Sequence, residues 1–179
     1  SDHVPEASIN SALGQRVREL RLSRGFTLSG LAAAARVGKG SLSELEAGAR
    51  NPTLATLYAL AGSLEVPISA LVGEQIGTSI TAGGLTHHLV DLQRSEHAIR
   101  ETFRIVGEAG ARRHSPAHGP GVSEHIVVTR GRMLAGPVGA EREAGAGEVL
   151  SWVSDGEHSY RVVEAPFEAI LVILTPITP

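Results

Sequence analysis

Cysteine is absent from the 179 residues, which excludes disulfides and thiolate metal sites and fits a reducing compartment, so the cytoplasm is the expected location. Long apolar runs are missing as well. No stretch approaches the roughly 18 uninterrupted apolar residues of a membrane span, and the opening SDHVPEAS lacks the basic and apolar regions of a signal peptide. No membrane association is expected. An overall excess of positive charge is also lacking: the formal net charge is −3, which excludes a protein coated in positive charge for simple nucleic-acid binding.

What is present points to two units. The hydrophobic fraction of 42% is enough for a core, and the length suits two small domains. Residues 1–73 carry seven Lys/Arg against six Asp/Glu, and residues 74–179 nine against thirteen. Seven of the eight histidines lie beyond residue 86. The slightly basic half is the candidate DNA binder, and the half rich in imidazole carries a different chemistry.

Hydrophobic periodicity divides the chain in the same way. Leu13, Val17 and Leu20, and then Leu54, Leu57, Leu60, Ala61 and Leu64, recur at helical spacing, so 9–73 reads as an α-helical bundle. Residues 74–84, EQIGTSITAGG, have linker composition. From 85 to 179 the period becomes two, as in Ile99, Glu101, Phe103 and Ile105, and in HIVVTRGRM and FEAILVILTP. Turns such as HSPAHGPG, AGPVGAEREAGAG and VSDGEH punctuate these strands, which suggests a barrel or sandwich.

Within the helical half, TLSGLAAAARVGKGSLSELEAG reads as a helix capped by Thr27, a break around Arg36 to Gly38, and a second short helix. Ala32 and Ala35 are small where helices must approach, and Leu31, Val37, Leu42 and Leu45 supply a shared core. Lys39, Gly40, Ser41, Ser43 and Glu44 are left on the exposed face of the second helix, within reach of base edges or phosphates. The run LGQRVRELRLSRGFTLSGLAAAARVGKGSLSELEAGARNPTLATLYALAGSLEVPISALVG resembles the five-helix DNA-binding domain of phage-repressor-type (XRE family) transcriptional regulators.

That resemblance implies that the second motif helix enters the major groove of double-stranded operator DNA. By position, Lys39, Ser41 and Glu44 are then the base readers, and Thr27, Ser43 and Arg50 the phosphate contacts. A homodimer on paired half-sites is implied as well. Three positions depart from the family pattern: Arg36 stands at the turn glycine, Gly38 at the N-cap serine, and Gly30 at the partner of the Thr27 capping box.

In the second half, His114, His118, Glu124, His125 and His158 have the chemistry of divalent-metal ligands. Strand alternation puts Glu124 and His125 on opposite faces, so both cannot easily serve. Glu124 lies seven residues before Gly131, and His158 eleven after Gly147. This spacing resembles the two motifs of the cupin superfamily, small antiparallel jelly-roll barrels. The resemblance implies a site at His118, Glu124 and His158 for one divalent ion, either zinc, nickel, iron or manganese.

The His-x-His pair of the first cupin motif is absent, with Pro120 where its second histidine would lie. Val153, Asp155 and Val162 replace the Pro, Gly and Asn of the second motif. A metal-free polar lumen therefore stays open beside the metal site. Trp152 and Tyr160 are candidates to line the barrel against a ligand, and Arg104 and Arg161 to meet an anionic one if they point inward.

The expected function is a transcriptional regulator whose barrel senses a small-molecule or metal effector and thereby changes operator affinity. Two alternatives remain: a metal-dependent enzyme fused to a DNA-binding domain, and a regulator whose barrel only dimerises. No separate acid–base pair can be picked out, and no enzymatic activity is expected.

Overall fold

The computed structural model describes residues 6–72 and 79–177. The chain divides into two compact units, 1–73 and 74–179. In the first, α1 (Glu6–Ser23), α2 (Leu28–Ala34), α3 (Lys39–Glu46), α4 (Leu54–Leu64) and α5 (Ser69–Val72) follow one another. The apolar positions that recur on α4 face inward: Leu54, Leu57, Leu60, Ala61 and Leu64 are all buried, as are Val17 of α1, Leu31 of α2 and Leu42 and Leu45 of α3. Helices this short draw their stability from such a buried stripe more than from intrinsic propensity.

Side chains mark the helix starts. The Thr27 hydroxyl accepts from the Gly30 N–H at 3.0 Å, and the Thr53 hydroxyl accepts from the Thr56 N–H at 3.2 Å, each satisfying an orphan amide of the first turn. Gly14 lets α1 lie directly on the end of α3, because a Cβ there would collide with the Leu45 carbonyl oxygen.

The second unit is wholly antiparallel: β1 (Ser79–Ala82), β2 (Leu85–Arg94), β3 (Ala98–Gly107), β4 (Arg112–Ser115), β5 (Ser123–Pro137), β6 (Arg142–Gly145), β7 (Val149–Val153) and β8 (His158–Pro176). Residues 79–84 of the expected linker are strand β1 and the turn into β2. Residues 74–78 lie outside the described residues.

The closed jelly-roll barrel expected from the sequence is not what forms. The strands make one eight-stranded sheet in the order β1-β2-β3-β8-β5-β6, with β4 added to β8 and β7 to β5. Among the described residues no ladder joins β1 to β6, so the sheet has two edges. The core is enclosed in another way. β5 buries Glu124, Ile126 and Val128 on even positions and then Met133 and Ala135 on odd ones; β8 buries His158, Tyr160 and Val162 and then Phe167, Ala169, Leu171 and Ile173.

Each parity change falls where the register of the β5–β8 ladder slips, between Val128 and Met133. A bulge of this kind bends a strand and transfers the buried set to the other side of the pleat. The single sheet thus folds over on itself, and side chains from its two parts meet, as Glu124 and Tyr160 do. Gly131 sits in the bend with φ 74°, and a Cβ there would meet the carbonyl oxygens of Glu164 and Pro166. Turn-punctuated alternating strands read alike whether a ladder closes or the sheet folds, because the same face is buried in both.

Candidate metal centre and nucleic-acid-facing helix

In the helical unit the α2–turn–α3 segment holds α3 by its apolar side. Leu42 and Leu45 are buried, which leaves Lys39, Ser43 and Glu44 exposed and Ser41 half-buried. Helix α2 ends in a left-handed residue, Arg36 at φ 54°, with the Val37 N–H donating back to the Ala32 carbonyl at 2.9 Å, a Schellman-type ending that glycine normally serves. Gly38 caps α3 with no side-chain hydrogen bond. Arg50 donates to Glu44 at 3.1 Å on the surface, so a residue expected at the backbone and one expected at a base edge are paired with each other. A groove of about 240 Å³ runs beside them, lined in part by Ser41, Arg50, Asn51 and Thr53.

A second feature, absent from the sequence reading, fixes the far end of α3. Arg21 on α1 donates Nε–H to Glu46 Oε1 at 2.6 Å and Nη2–H to Oε2 at 2.9 Å. A third donor, Nη1–H, reaches the Phe26 carbonyl at 3.0 Å. Both side chains are about nine-tenths buried. The paired Glu46 carboxylate raises the Arg21 guanidinium above its ordinary value against the lowering effect of burial, and a bidentate fork of this kind restricts geometry as well as charge.

In the β unit, His118, Glu124 and His158 come together, fully enclosed, with one donor atom from each within 4.8 Å of the others. Glu124 comes from β5 and His158 from the start of β8, and His118 from the loop after β4. Glu124 Oε1 lies 3.1 Å from His118 Nδ1 and 2.9 Å from His158 Nε2. It also accepts from Ser154 Oγ at 2.9 Å, while Tyr160 donates its hydroxyl proton to Oε2. The two imidazoles stand edge to face with centroids 4.7 Å apart.

The outer nitrogens of both rings are tied down. His158 Nδ1 lies 3.0 Å from the Gly156 carbonyl, which can only accept, so Nδ1 carries a proton and Nε2 is the nitrogen turned towards Glu124. Ser115 Oγ, 3.1 Å from His118 Nε2, is placed to do the same for His118. Hydrogen bonds of this sort orient metal-ligating histidines. His158 Nε2 and Glu124 Oε1, 2.9 Å apart, are held together by a proton or by a cation between them.

Burial pushes the His118 imidazole down to about 3 against the opposing pull of Glu124, which keeps it neutral at neutral pH. Burial also pushes the Glu124 carboxyl up, but His118, His158 and the Tyr160 hydroxyl outweigh it and hold the group below the ordinary carboxylate range. A carboxylate and two imidazoles are a donor set for zinc and for other first-row divalent ions. His118, Glu124 and His158 are the residues that would hold such an ion.

The chain matches the helix-turn-helix family HTH_3 over residues 17–71. It is 31% identical over 160 residues to the HTH-type transcriptional regulator SutR of Escherichia coli (strain K12), across 83% of this chain and 86% of that protein. The chain belongs to the HTH-type transcriptional regulators. A shorter stretch of this regulator, 63 residues, is 40% identical to the immunity repressor protein of Bacillus phage phi105, covering 35% of this chain and 44% of that one. The crystal structure of an HTH_3 family transcriptional regulator from Vibrio cholerae superposes with a TM-score of 0.85 at 26% identity, over 98% of this regulator and 99% of that chain. The helical unit is its DNA-binding domain.

The expectation of no enzymatic activity needs correction. The buried His/Glu/His group is a ligand set with which metalloenzymes also work, so the chemistry for metal binding or catalysis is in place. Of the other expected ligand contacts, Tyr160 is buried and bonded to Glu124, and Trp152 packs against His158 and Tyr160 with centroids 5.8 and 5.9 Å away. Arg104 points out of the sheet, where it grips Glu168 through two hydrogen bonds of 2.9 and 2.8 Å.

Sequence reasoning missed the arginine that does face inward. Arg113 of β4 is buried and lies over the Tyr160 ring, 4.3 Å from its centroid, with Nη1 3.2 Å from His87 Nε2. The signal was parity: in β4 the buried positions alternate, so Arg113 and Ser115 share the inner face while Arg112 and His114 do not. Among the described residues no helix is long and apolar enough to cross a membrane.

Proposed function

We infer that this regulator is a cytoplasmic protein that binds double-stranded operator DNA as a homodimer and holds a divalent metal ion (zinc, nickel, iron or manganese) at His118, Glu124 and His158. Lys39, Ser41 and Glu44 read base edges, and Thr27, Ser43 and Arg50 contact phosphates. Glu44 and Arg50 exchange their mutual ion pair for DNA when the complex forms. Pairing of two copies follows from the half-site geometry of helix-turn-helix binding. The spacing of Glu124, Gly131 and His158 relates the site to the cupins, although the sheet that carries it is open.

The observation that carries this reading is the inward apposition of two imidazole nitrogens and one carboxylate oxygen among buried side chains, each ring held from behind. A proton or a cation between them completes that arrangement. The ion supplies Lewis acidity when bound; the chain fixes the rings, excludes water and keeps the carboxylate ionised. An ion held by these three side chains alone would have room for a small-molecule effector, and the same donor set favours a second reading, metal-dependent catalysis at this centre.

Elemental analysis of the protein purified without a metal-binding tag tests the first reading. One ion per chain is expected, lost in His158→Ala, with operator affinity changed by chelation. A well-folded protein without metal, even after incubation with each of the four ions, would sink the site. Turnover of candidate substrates by metal-loaded protein, abolished in Glu124→Gln, would establish the second.

A further inference from the structure

Glu124 is the member of the His/Glu/His group with the longest and most freely turning side chain. An unsupported carboxylate would sample several orientations, and fixing one of them costs rotamer entropy when an ion arrives. The two oxygens of Glu124 have different surroundings. Oε1 lies 3.1 and 2.9 Å from the two imidazoles and accepts from Ser154 Oγ, while Oε2 accepts from the Tyr160 hydroxyl.

Tyr160 is held from every side. Its backbone pairs with Arg113 of β4 on one flank and with Ala135 of β5 on the other. Its side chain is buried, the Arg113 guanidinium lies over its ring at 4.3 Å, and the rings of Trp152 and His158 stand 5.9 and 5.5 Å away. A phenol enclosed in this way cannot follow the carboxylate, so the carboxylate follows the phenol. The cation over the ring also draws electron density from the hydroxyl and makes it a stronger donor.

Chain order joins this hydroxyl to the ligands. Alternation along β8 buries His158 and Tyr160 on the same face. One strand thus supplies a metal ligand and, two residues on, the group that orients another.

We propose that Tyr160 is a positioning residue for the metal centre: by binding Oε2 it turns Oε1 of Glu124 towards the two imidazoles before an ion enters. This rests on the reading of His118, Glu124 and His158 as a metal site, and adds the residue that sets its affinity. Hydrogen-bond partners behind a ligating side chain typically change metal affinity about 10- to 100-fold.

Full-length protein stripped of metal is titrated with zinc against a chromogenic chelator, and separately with cobalt(II), whose visible absorption reports the arrangement of its ligands. Tyr160→Phe removes the hydroxyl and keeps the ring. It should raise the zinc dissociation constant about 10- to 100-fold and alter the cobalt spectrum. Val162→Ala opens a cavity at a buried position of the same strand without touching a hydrogen bond to Glu124. It should lower the stability of the β unit, followed by emission of Trp152, the only tryptophan of the chain, and leave zinc affinity and the cobalt spectrum as in the parent.

A Tyr160→Phe protein equal to the parent in zinc affinity and cobalt spectrum overturns the positioning role and leaves the metal site standing. A parent protein that takes up no metal overturns the metal reading and this proposal together. Should Tyr160→Phe fail to fold, 3-fluorotyrosine in place of both tyrosines keeps the hydroxyl and is followed by fluorine NMR. The Tyr160 resonance, identified as the one left in Tyr58→Phe, should shift and saturate with bound zinc. A resonance that bound zinc does not move overturns the proposal.

Discussion

Two groups of buried charge, one in each unit, differ in what completes them. Arg21 and Glu46 complement each other: opposite charges, two parallel hydrogen bonds, and a third to the Phe26 carbonyl. Glu124 instead faces two imidazole nitrogens whose rings are turned so that their outer sides are bonded. The first group is closed on itself and fixes α3 relative to α1. The second is complete only with a cation or proton supplied from outside. Burial of polar groups alone therefore does not mark a ligand site; what marks it is the direction in which donors and acceptors are left pointing.

The comparison breaks most readily at Arg21. Removing one member of a buried pair leaves an uncompensated charge, at a typical cost of about 3–5 kcal/mol. Arg21→Ala should therefore unfold the helical unit at much lower urea, followed by circular dichroism at 222 nm. Trp152 emission, which reports on the other unit, should keep its midpoint. If Arg21→Ala moves neither signal, the pair is not what anchors α3.

The matching perturbation at Glu124 should act through metal. With zinc in hundredfold excess over its dissociation constant, linkage stabilises the β unit by about 2.7 kcal/mol, read as a rise in the Trp152 unfolding midpoint. Glu124→Gln should abolish that rise and cost much less without metal, because the amide oxygen accepts from one of the Ser154 and Tyr160 hydroxyls and the amide NH2 donates to the oxygen of the other. A large loss of metal-free stability in Glu124→Gln with no response to zinc in the parent protein would make the two groups alike, both structural.

Legibility in the sequence followed the strength of the local pattern. Helix α4 was readable because Leu54, Leu57, Leu60 and Leu64 repeat with the helical period. The β unit was readable as strands because the long strands bury alternate residues, yet the fold of the sheet was not, since the bends at Gly131 and beyond Val162 appear only as a slip of parity within β5 and β8. His118, Glu124 and His158 were named through spacing that resembles a family motif. Arg113 and Arg21 were missed for opposite reasons. Arg113 stands in a short strand beside exposed arginine and histidine. Arg21 lies four residues after buried Val17, on the apolar stripe of α1, where a charged residue signals a partner that only the fold can name.

Smaller effects sharpen the account of how α2 and α3 are set for DNA. Thr27 satisfies the Gly30 amide and is also a proposed phosphate contact. Thr27→Ala should cost about 1 kcal/mol, the usual value of an N-cap, whereas Thr27→Ser should restore stability. Operator binding measured on both at a temperature where each is folded separates the two roles. A Thr27→Ala protein that has lost stability but binds operator as the parent does would confine this residue to capping.

The smallest expected effect lies at Arg36, where a non-glycine residue holds φ at 54°. The left-handed conformation costs an L-residue roughly 1–2 kcal/mol, and glycine recovers this less its own extra chain entropy of about 0.5–1 kcal/mol. Arg36→Gly should therefore stabilise the helical unit by up to about 1 kcal/mol. Arg36 is exposed, at the turn that leads into α3, so the same substitution also removes a positive charge next to the helix proposed to read DNA. A more stable variant with weaker operator binding and a shallower dependence on salt would mean that the strained turn is kept for a phosphate contact. A more stable variant that binds as tightly would mean that the strain serves no purpose in DNA binding.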